Sequence, residues 1–138
     1  MADAPSRDEL LSMTEFVAAF DAAGFVAGEW TKPEERPDGV IEIGYWTPGE
    51  CVMRWEQAIY HRHLVHPESG YLSEQFSKQM QDYRRDPSRL LEADLATIRT
   101  VLTNVVRGER FCDGYIAEMF ECGVAQLATR RLVELAGT

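Results

Sequence analysis

The chain has 138 residues, of which 45% are hydrophobic and 27% charged, so it is long enough to form one globular domain with its own core. Its 23 acidic and 14 basic residues give a net charge of −9, which argues against direct nucleic-acid binding and against docking on anionic lipid. No apolar run reaches the roughly 18 residues of a membrane span, and the N-terminal segment does not resemble a signal peptide, so we expect a soluble, cytoplasmic, single-domain protein over residues 1–138.

The N-terminal part of the chain predicts a helix followed by a β-ribbon. Residues 1–6 are expected to be disordered, and Ser6-Arg7-Asp8-Glu9 forms a capping-box pattern for a helix over 7–23. Residues 25–30 and 40–46 have the pattern of short strands, separated by a charged loop that contains two prolines. We expect these strands to pair as an antiparallel ribbon that lies on helices, because an isolated ribbon is only marginally stable in water.

The rest of the chain predicts helices only. A second capping box at Thr47-Pro48-Gly49-Glu50 predicts a helix over 48–63, and apolar spacing predicts another over 69–84. Further helices are predicted over 95–107 with Asp94 as N-cap, after an N-cap at Asp113, and after a break at Gly123. The predicted fold class is α+β and predominantly helical, with about five to six helices and one small antiparallel two-stranded ribbon.

Acidic residues are concentrated in the first half of the chain. Residues 1–69 contain 13 acids and 5 bases, whereas residues 70–138 contain 10 acids and 9 bases. Such an acidic half repels nucleic acid and attracts a basic partner protein. The plainer interpretation is a solvated surface that keeps the protein soluble.

The cysteines do not have the pattern of a disulfide framework or a zinc ribbon. Their number, three, is odd, and no C-x-x-C spacing occurs among Cys51, Cys112 and Cys122. We therefore expect reduced thiols that pack as small hydrophobic groups. The alternative is a nucleophilic cysteine, for which Cys112 is the best candidate because Arg107 and Arg110 would lower its pKa.

All three histidines lie close together, at His61, His63 and His66. A zinc site is one interpretation, since imidazole is a common zinc ligand. On a helix, residues two apart point in different directions, so His63 and His66 would be the better pair, with Glu68 as the nearest further ligand. The alternatives are an exposed helix end and a pH-sensitive contact with a partner, and we assign no metal or cofactor.

A polar cluster is predicted at the turn before the fifth helix. It consists of Arg107, Arg110, Asp113, Tyr115, Glu118 and Glu121. Arginines near a helix start can hold an anionic ligand or partner group. Alternatively, Arg107 and Arg110 form a structural staple that binds free carbonyls and pairs with Glu118 or Glu121. We expect Arg110 to be structural.

The aromatic residues of the ribbon and the helix after it form a third candidate site. They are Trp30, Tyr45, Trp46, Trp55 and Tyr60. These side chains either seal the ribbon onto the helix as a small core or present a partner-binding face at Trp30, Tyr45, Trp46 and Trp55.

The C-terminal third resembles a known family. The strings A-D-L-x-T-I-R-x-x-L-T, from Ala93 to Thr103, and V-R-G-E-R-F-C-D-G-Y-I-A-E-M-F-E-C-G, from Val106 to Gly123, are similar to a bacterial and phage family called domain of unknown function 6508. The resemblance is densest over 93–132, while 61–92 depart from the family pattern. It implies a small, soluble, often standalone protein and implies no catalytic residue, cofactor or substrate.

The sequence contains none of the common catalytic motifs. No G-x-G-x-x-G, Walker, G-x-S-x-G or H-E-x-x-H pattern occurs. We therefore expect an acidic, non-catalytic interaction or regulatory protein that binds a partner protein, and a homodimer is compatible with this interpretation. The alternatives are a small hydrolase or transferase with a metal or anion site, and a sensor that binds a small ligand without turnover.

Overall fold

The structure, a computed structural model, describes residues 4–31, 34–42 and 44–137. Over these residues the fold is predominantly helical with short antiparallel strands, which confirms the fold class expected from the sequence. None of the described helices is long and apolar enough to cross a membrane. Of the segment expected to be disordered, residues 1–3 lie outside the described residues, whereas Ser6 caps the first helix.

Seven α-helices and one 3₁₀ helix lie in the described part of the chain. Their bounds are α1 Arg7–Ser12, α2 Thr14–Asp21, α3 Glu50–His61, α4 Glu74–Arg85, α5 Leu95–Gly108, α6 Tyr115–Cys122 and α7 Val124–Ala136, with the 3₁₀ helix at Pro87–Glu92. The number of helices is larger than expected because the first predicted helix is divided in two and the 3₁₀ helix was not predicted.

The first predicted helix is interrupted at Met13. The Ser12 hydroxyl donates to the Glu9 carbonyl, and the Thr14 hydroxyl donates to the Leu11 carbonyl, both at 2.6 Å. Side-chain hydroxyls that bond to nearby carbonyls compete with the regular backbone pattern of a helix. The chain therefore leaves α1 at this point and starts α2, with the Met13 side chain fully buried.

Two of the predicted N-caps are confirmed. Ser6 Oγ accepts a hydrogen bond from the Glu9 N–H (3.1 Å), and the Glu9 carboxylate accepts one from the Ser6 N–H (2.9 Å). At the start of α5, Asp94 Oδ1 accepts a hydrogen bond from the Thr97 N–H (2.8 Å). Both patterns satisfy N–H groups that a helix start leaves without intrahelical partners.

The ribbon consists of four short strands in two antiparallel pairs. They are β1 Gly28–Trp30 with β4 Trp46–Pro48, and β2 Glu34–Glu35 with β3 Ile41–Glu42. In the first pair, Gly28 is opposed to Pro48, Glu29 to Thr47 and Trp30 to Trp46. An antiparallel ribbon is confirmed, but the one strand predicted over 40–46 is divided between β3 and β4, and β2 lies in the segment predicted as a loop. Ile43, part of the strand predicted over 40–46, lies outside the described residues.

The capping box predicted at Thr47 is wrong, because the ribbon continues through this residue. Thr47 is opposed to Glu29, and the Gly49 N–H donates to the Ala27 carbonyl (2.8 Å). The backbone is therefore committed to the ribbon up to the start of α3. The helix begins at Glu50, with Gly49 as an N-cap that makes no side-chain hydrogen bond.

The segment between α3 and α4 is longer than expected. α3 ends at His61 rather than at residue 63, and α4 begins at Glu74 rather than at residue 69. His63 has a φ of 59°, which is incompatible with a continuing helix. The start of α4 is instead fixed by Ser73, whose Oγ accepts a hydrogen bond from the Phe76 N–H (3.1 Å).

The core forms around α7, which contacts α1, α2, α5, α6 and the 3₁₀ helix. Small buried residues on α7, such as Ala125 and Ala128, allow neighbouring elements to approach closely. Trp55 of α3 is fully buried, and its indole N–H donates to Thr129 Oγ1 of α7 (2.8 Å). The ring of Phe120 meets Trp55 edge-on, with 5.2 Å between the ring centroids. The hydrogen bond thus fixes a large aromatic side chain at the centre of the core.

We predict that Thr129→Val lowers the free energy of unfolding by about 1–3 kcal/mol, because it leaves the buried Trp55 N–H without an acceptor. The substitution keeps the shape of the side chain, so little of the effect comes from a cavity. Thr100→Val is the matched control, since that hydroxyl only donates to the Ala96 carbonyl of its own helix. Urea denaturation of the two variants checks the prediction, and equal losses in both would contradict it.

Candidate functional site

The four aromatic residues of the predicted partner face do not form one surface. Opposed residues of an antiparallel pair point to the same side of the ribbon, and successive residues alternate. Trp30 and Trp46 therefore share one side, and Tyr45 lies on the other. Trp46 and Trp55 are buried in the core, whereas Trp30 is 56% and Tyr45 58% exposed. Of the four, Trp30 and Tyr45 alone are available to a partner, on opposite sides of the ribbon.

Trp30 lies on the turn between α5 and α6. A Cβ atom at Gly114 would come within 2.5 Å of Cη2 and 2.6 Å of Cζ2 of the Trp30 indole. Gly114 also has a φ of 87°, a left-handed conformation that favours glycine. Both the indole and the backbone therefore require glycine at this position. The contact joins the ribbon to the helical body and holds the exposed indole in place.

The turn is closed by Glu109, and the predicted N-cap role of Asp113 is wrong. Glu109 Oε2 accepts hydrogen bonds from the N–H groups of Gly114 (2.7 Å) and Tyr115 (3.2 Å). These N–H groups belong to the start of α6, where a carboxylate is favoured by the helix dipole. The N-cap residue itself is Gly114, which has no side chain to contribute.

Arg107 binds tyrosines rather than carboxylates. Its Nη1 donates to the Tyr71 hydroxyl (3.3 Å), and its guanidinium carbon lies 5.7 Å from the centroid of the Tyr71 ring. The hydrogen bond with Tyr71 is the main cause that raises the pKa of Arg107, and the Tyr60 hydroxyl adds to it. Nε of Arg107 is buried and has no hydrogen-bond partner among the described residues.

A short polar network brings two of the predicted site residues, Arg107 and Tyr115, together. The Tyr115 hydroxyl donates to Asn104 Oδ1 (2.5 Å), and Asn104 Nδ2 donates to the Tyr71 carbonyl (3.3 Å). The Tyr115 ring also fills the space beside Gly108 that a larger residue would occupy. Burial raises the pKa of Tyr115 above its usual value. This network fixes α5 against α6 and against the segment before α4.

The other two predicted site residues, Arg110 and Glu118, have different surroundings. Glu118 forms an ion pair with Arg84 of α4, with 3.2 Å between Oε2 and Nη2. Arg110 is exposed and forms no ion pair with the described residues. The expected pairs of Arg107 or Arg110 with Glu118 or Glu121 are therefore wrong. The partner of Glu118 comes from a separate helix, which local spacing could not reveal.

Glu56 is a candidate residue that the sequence analysis missed. It is half-buried on α3, and it forms no hydrogen bond or ion pair with the described residues. Burial raises the pKa of Glu56, the nearby carboxylate of Glu109 raises it further, and Arg110 lowers it. The sequence signal that would have identified Glu56 is its spacing from Met53 and Tyr60. These positions, three and four residues apart, lie on one helix face.

Large apolar side chains are exposed around Glu56 and the turn. Phe111, within the turn, is 71% exposed, and Met53 and Tyr60 lie on the exposed face of α3. Glu109 and Arg110 lie close enough to Glu56 for their charges to affect its pKa. This face of α3 therefore lies beside the turn that Trp30 covers. We call this region the turn surface; it consists of Trp30, Met53, Glu56, Tyr60, Arg110 and Phe111. An exposed cluster of this composition is typical of protein-binding surfaces.

The histidines occupy three different environments. His61 is exposed at the end of α3, and the His66 N–H donates to Thr103 Oγ1 (2.8 Å). Nδ1 of His63 lies 2.9 Å from Glu9 Oε2. Because α3 ends at His61, the helical spacing that favoured His63 and His66 as a pair of ligands does not apply. Within the described ranges, no three histidine, cysteine or acidic residues are grouped so that they could hold a metal ion.

The three cysteines are free thiols in different settings. Cys112 is exposed in the turn between α5 and α6, while Cys51 and Cys122 are partly buried. Burial raises the pKa of Cys51. A nucleophilic role of Cys112 stays a hypothesis.

The profile of the Family of unknown function (DUF6508) matches residues 5–138. The chain belongs to this family. The resemblance inferred from the C-terminal third is thereby confirmed, and the match to DUF6508 also includes residues 61–92, which depart from the pattern expected of it. No curated protein and no solved structure matches the chain.

A shallow polar groove lies between α4 and α5 of this DUF6508 protein. It has a volume of about 240 Å³, and its lining includes Ser69, Ser73, Gln79, Thr97 and Thr100. The Ser69 hydroxyl is buried and has no hydrogen-bond partner among the described residues. None of the lining residues is charged, so the groove provides hydroxyl and amide groups without a general acid or base.

We predict that Gly114→Ala destabilises the protein more than Gly24→Ala does. Both glycines have a φ above 80°, so both variants carry the left-handed penalty of about 1–2 kcal/mol. Only at Gly114 would the new methyl group collide with Trp30, since nothing lies within 4 Å of a Cβ at Gly24. Urea denaturation gives the difference, and the Trp30 indole N–H signal in NMR should shift in Gly114→Ala alone. Equal effects of the two variants would contradict the contact.

We predict opposite pH dependences for Glu56→Gln and Glu9→Gln. Because folding raises the pKa of Glu56, its ionisation destabilises the fold, so Glu56→Gln should be more stable than the parent at pH 7. This gain should vanish below a pH of about 4, where the glutamate is neutral in both states. The Ser6 N–H, and then His63, lower the pKa of Glu9, so Glu9→Gln should be less stable at pH 7 and approach the parent on acidification. Urea midpoints at several pH values test both signs.

Proposed function

We propose that this protein is a non-catalytic interaction protein that binds a partner protein through the turn surface. The observation that carries the proposal is the exposure of Trp30 and Phe111 beside the exposed face of α3. Isolated exposed apolar residues are common, but a group of large apolar side chains around charged groups marks a binding region. Trp, Tyr and Arg are also the residue types that contribute most to binding energy at interfaces.

The rigidity of the turn supports the proposal. Trp30 rests on Gly114, and Glu109 binds two N–H groups of the same turn. Tyr60 lies beside Arg107, which is itself held by Tyr71. Because the Trp30 indole and the backbone of the turn already have these contacts, less conformational entropy is lost when a partner binds, which favours affinity.

The overall charge supports a protein partner in the cytoplasm rather than nucleic acid or a membrane. A net charge of −9 opposes both polyanionic surfaces. The three free thiols are compatible with a reducing compartment.

We predict that Phe111→Ser and Trp30→Ala abolish retention of one defined partner in a comparative affinity purification from the source cells. Removing these side chains takes away the central apolar contacts, so the affinity should fall at least about tenfold, or 1.4 kcal/mol. The protein identified in this way is then produced and purified, and its affinity for each variant is measured by calorimetry.

Leu72→Ser is the matched control for these variants. Leu72 is 67% exposed, close to the value for Phe111, but it does not belong to the turn surface. The control should retain the partner, and far-ultraviolet circular dichroism should show that all variants are folded. A partner that binds Phe111→Ser and Trp30→Ala as well as the parent would refute the proposed function.

A further inference from the structure

We propose that the partner presents a basic segment to the turn surface, with a lysine or arginine that pairs with the Glu56 carboxylate. This inference rests on the proposed function and specifies the chemistry of the partner. The proposed occupant of this surface is a cationic peptide segment, because its positive charge would complement the negative charge of Glu56.

The first argument is that Glu56 has no directly paired counter-ion among the described residues. It is half-buried, and within the described ranges it forms neither an ion pair nor a hydrogen bond. A carboxylate that is partly removed from water without a partner is unfavourable, and an incoming cation would relieve that cost. The same burial raises the pKa of Glu56.

The second argument is that the neighbouring groups of the described chain form neither an ion pair nor a hydrogen bond with the Glu56 carboxylate. Glu109 has the same charge, and its carboxylate already binds the N–H groups of Gly114 and Tyr115. Arg110 is close enough to influence Glu56 electrostatically, yet it is exposed and forms no ion pair with it. A partner cation can therefore reach Glu56 without displacing an existing ion pair.

The third argument is the charge and aromatic character around this position. The ribbon that carries Trp30 also exposes the acids Glu29 and Glu35, whereas Asp38 is paired with Arg36 (3.2 Å). The negative field of exposed acids increases the rate at which a basic partner associates. Trp30 and Phe111 expose large parts of their rings, and aromatic faces attract lysine and arginine side chains.

An acidic partner group at Arg107 or Arg110 is the opposing interpretation. The guanidinium of Arg107 is held by Tyr71, and its Nε is buried. That leaves Arg110 as the exposed cation of the turn surface, next to Glu56 and Glu109. The two guanidinium groups and the two carboxylates balance in charge, so the preference for a cationic partner rests on Glu56, which is half-buried and forms no ion pair with the described residues, whereas Arg110 is exposed to water.

The test uses the full chain and random dodecapeptides displayed on phage. Peptides enriched on the parent protein are synthesised, and their dissociation constants are measured for the parent and for three variants. Glu56→Gln removes the proposed partner of the cation, Arg110→Ala removes a repelling charge, and Glu92→Gln removes an exposed acid on the 3₁₀ helix as the matched control. The Trp30 indole N–H signal reports whether a peptide binds at the turn surface.

We expect the enriched peptides to contain lysine or arginine beside apolar residues and to shift the Trp30 signal. Glu56→Gln should weaken their binding about tenfold although it stabilises the fold, so unfolding cannot explain the loss. Arg110→Ala should strengthen binding, Glu92→Gln should leave it nearly unchanged, and added salt should weaken it.

Two results would overturn the inference while leaving the proposed function intact. One is a set of peptides that shift the Trp30 signal but are acidic or neutral, and that bind Glu56→Gln as well as the parent. The other is weaker binding of such peptides to Arg110→Ala, which would indicate an anionic partner. Two other results would overturn both the basic partner and the proposed binding function. One is that no enriched peptide shifts the Trp30 signal, and the other is that the chain associates with itself through Trp30.

Discussion

The turn between α5 and α6 depends on one constraint, the absence of a side chain at Gly114. The left-handed backbone of this residue starts α6, and its N–H binds Glu109. The space above it is filled by the Trp30 indole. A single glycine thus connects the helix start, its carboxylate cap and the ribbon. The exposed groups around the turn keep a fixed arrangement because all three contacts meet at this residue.

Two glutamates show how the same side chain contributes with opposite sign. Glu9 accepts a hydrogen bond from the Ser6 N–H and lies beside His63, so its ionised form is favoured in the fold. Glu56 is half-buried beside the carboxylate of Glu109, so its ionised form is disfavoured. The first belongs to a helix cap, whereas the second is only partly compensated by Arg110 and forms no ion pair with the described residues.

Local sequence patterns correctly predicted the helix caps and breaks that depend only on neighbouring residues. The capping box at Ser6, the N-cap at Asp94 and the break at Gly123 each involve groups within a few positions, and all three are present. The caps predicted at Thr47 and Asp113 failed for a different reason. Thr47 is held by a ribbon partner, Glu29, and the α6 start is capped from the preceding helix rather than from the nearest acid.

The sequence predicted only part of the candidate site, because several of its contacts join residues that are far apart in the chain. Arg107 and Tyr115 are close in sequence and are joined through Asn104 and Tyr71. Glu118 instead pairs with Arg84, which lies on another helix. Whether an aromatic residue is buried also depends on tertiary packing. Trp55 enters the core, whereas Phe111, which no sequence pattern singled out, stays in water.

Several unfavourable features of the described surface meet at the turn surface, although Leu72 and Val26 are also exposed elsewhere. Two of its most exposed large rings, Trp30 and Phe111, lie at the turn beside Glu56, which forms no ion pair there within the described ranges. Elsewhere, the buried Trp55 indole has a partner within the fold, whereas the Ser69 hydroxyl has none among the described residues. Proteins that are consistent in caps, core and hydrogen bonds tend to depart from these rules where they function. Apolar rings beside a carboxylate that forms no ion pair in the described part of the chain are the features that the proposed partner, a cation carried by an apolar segment, would match.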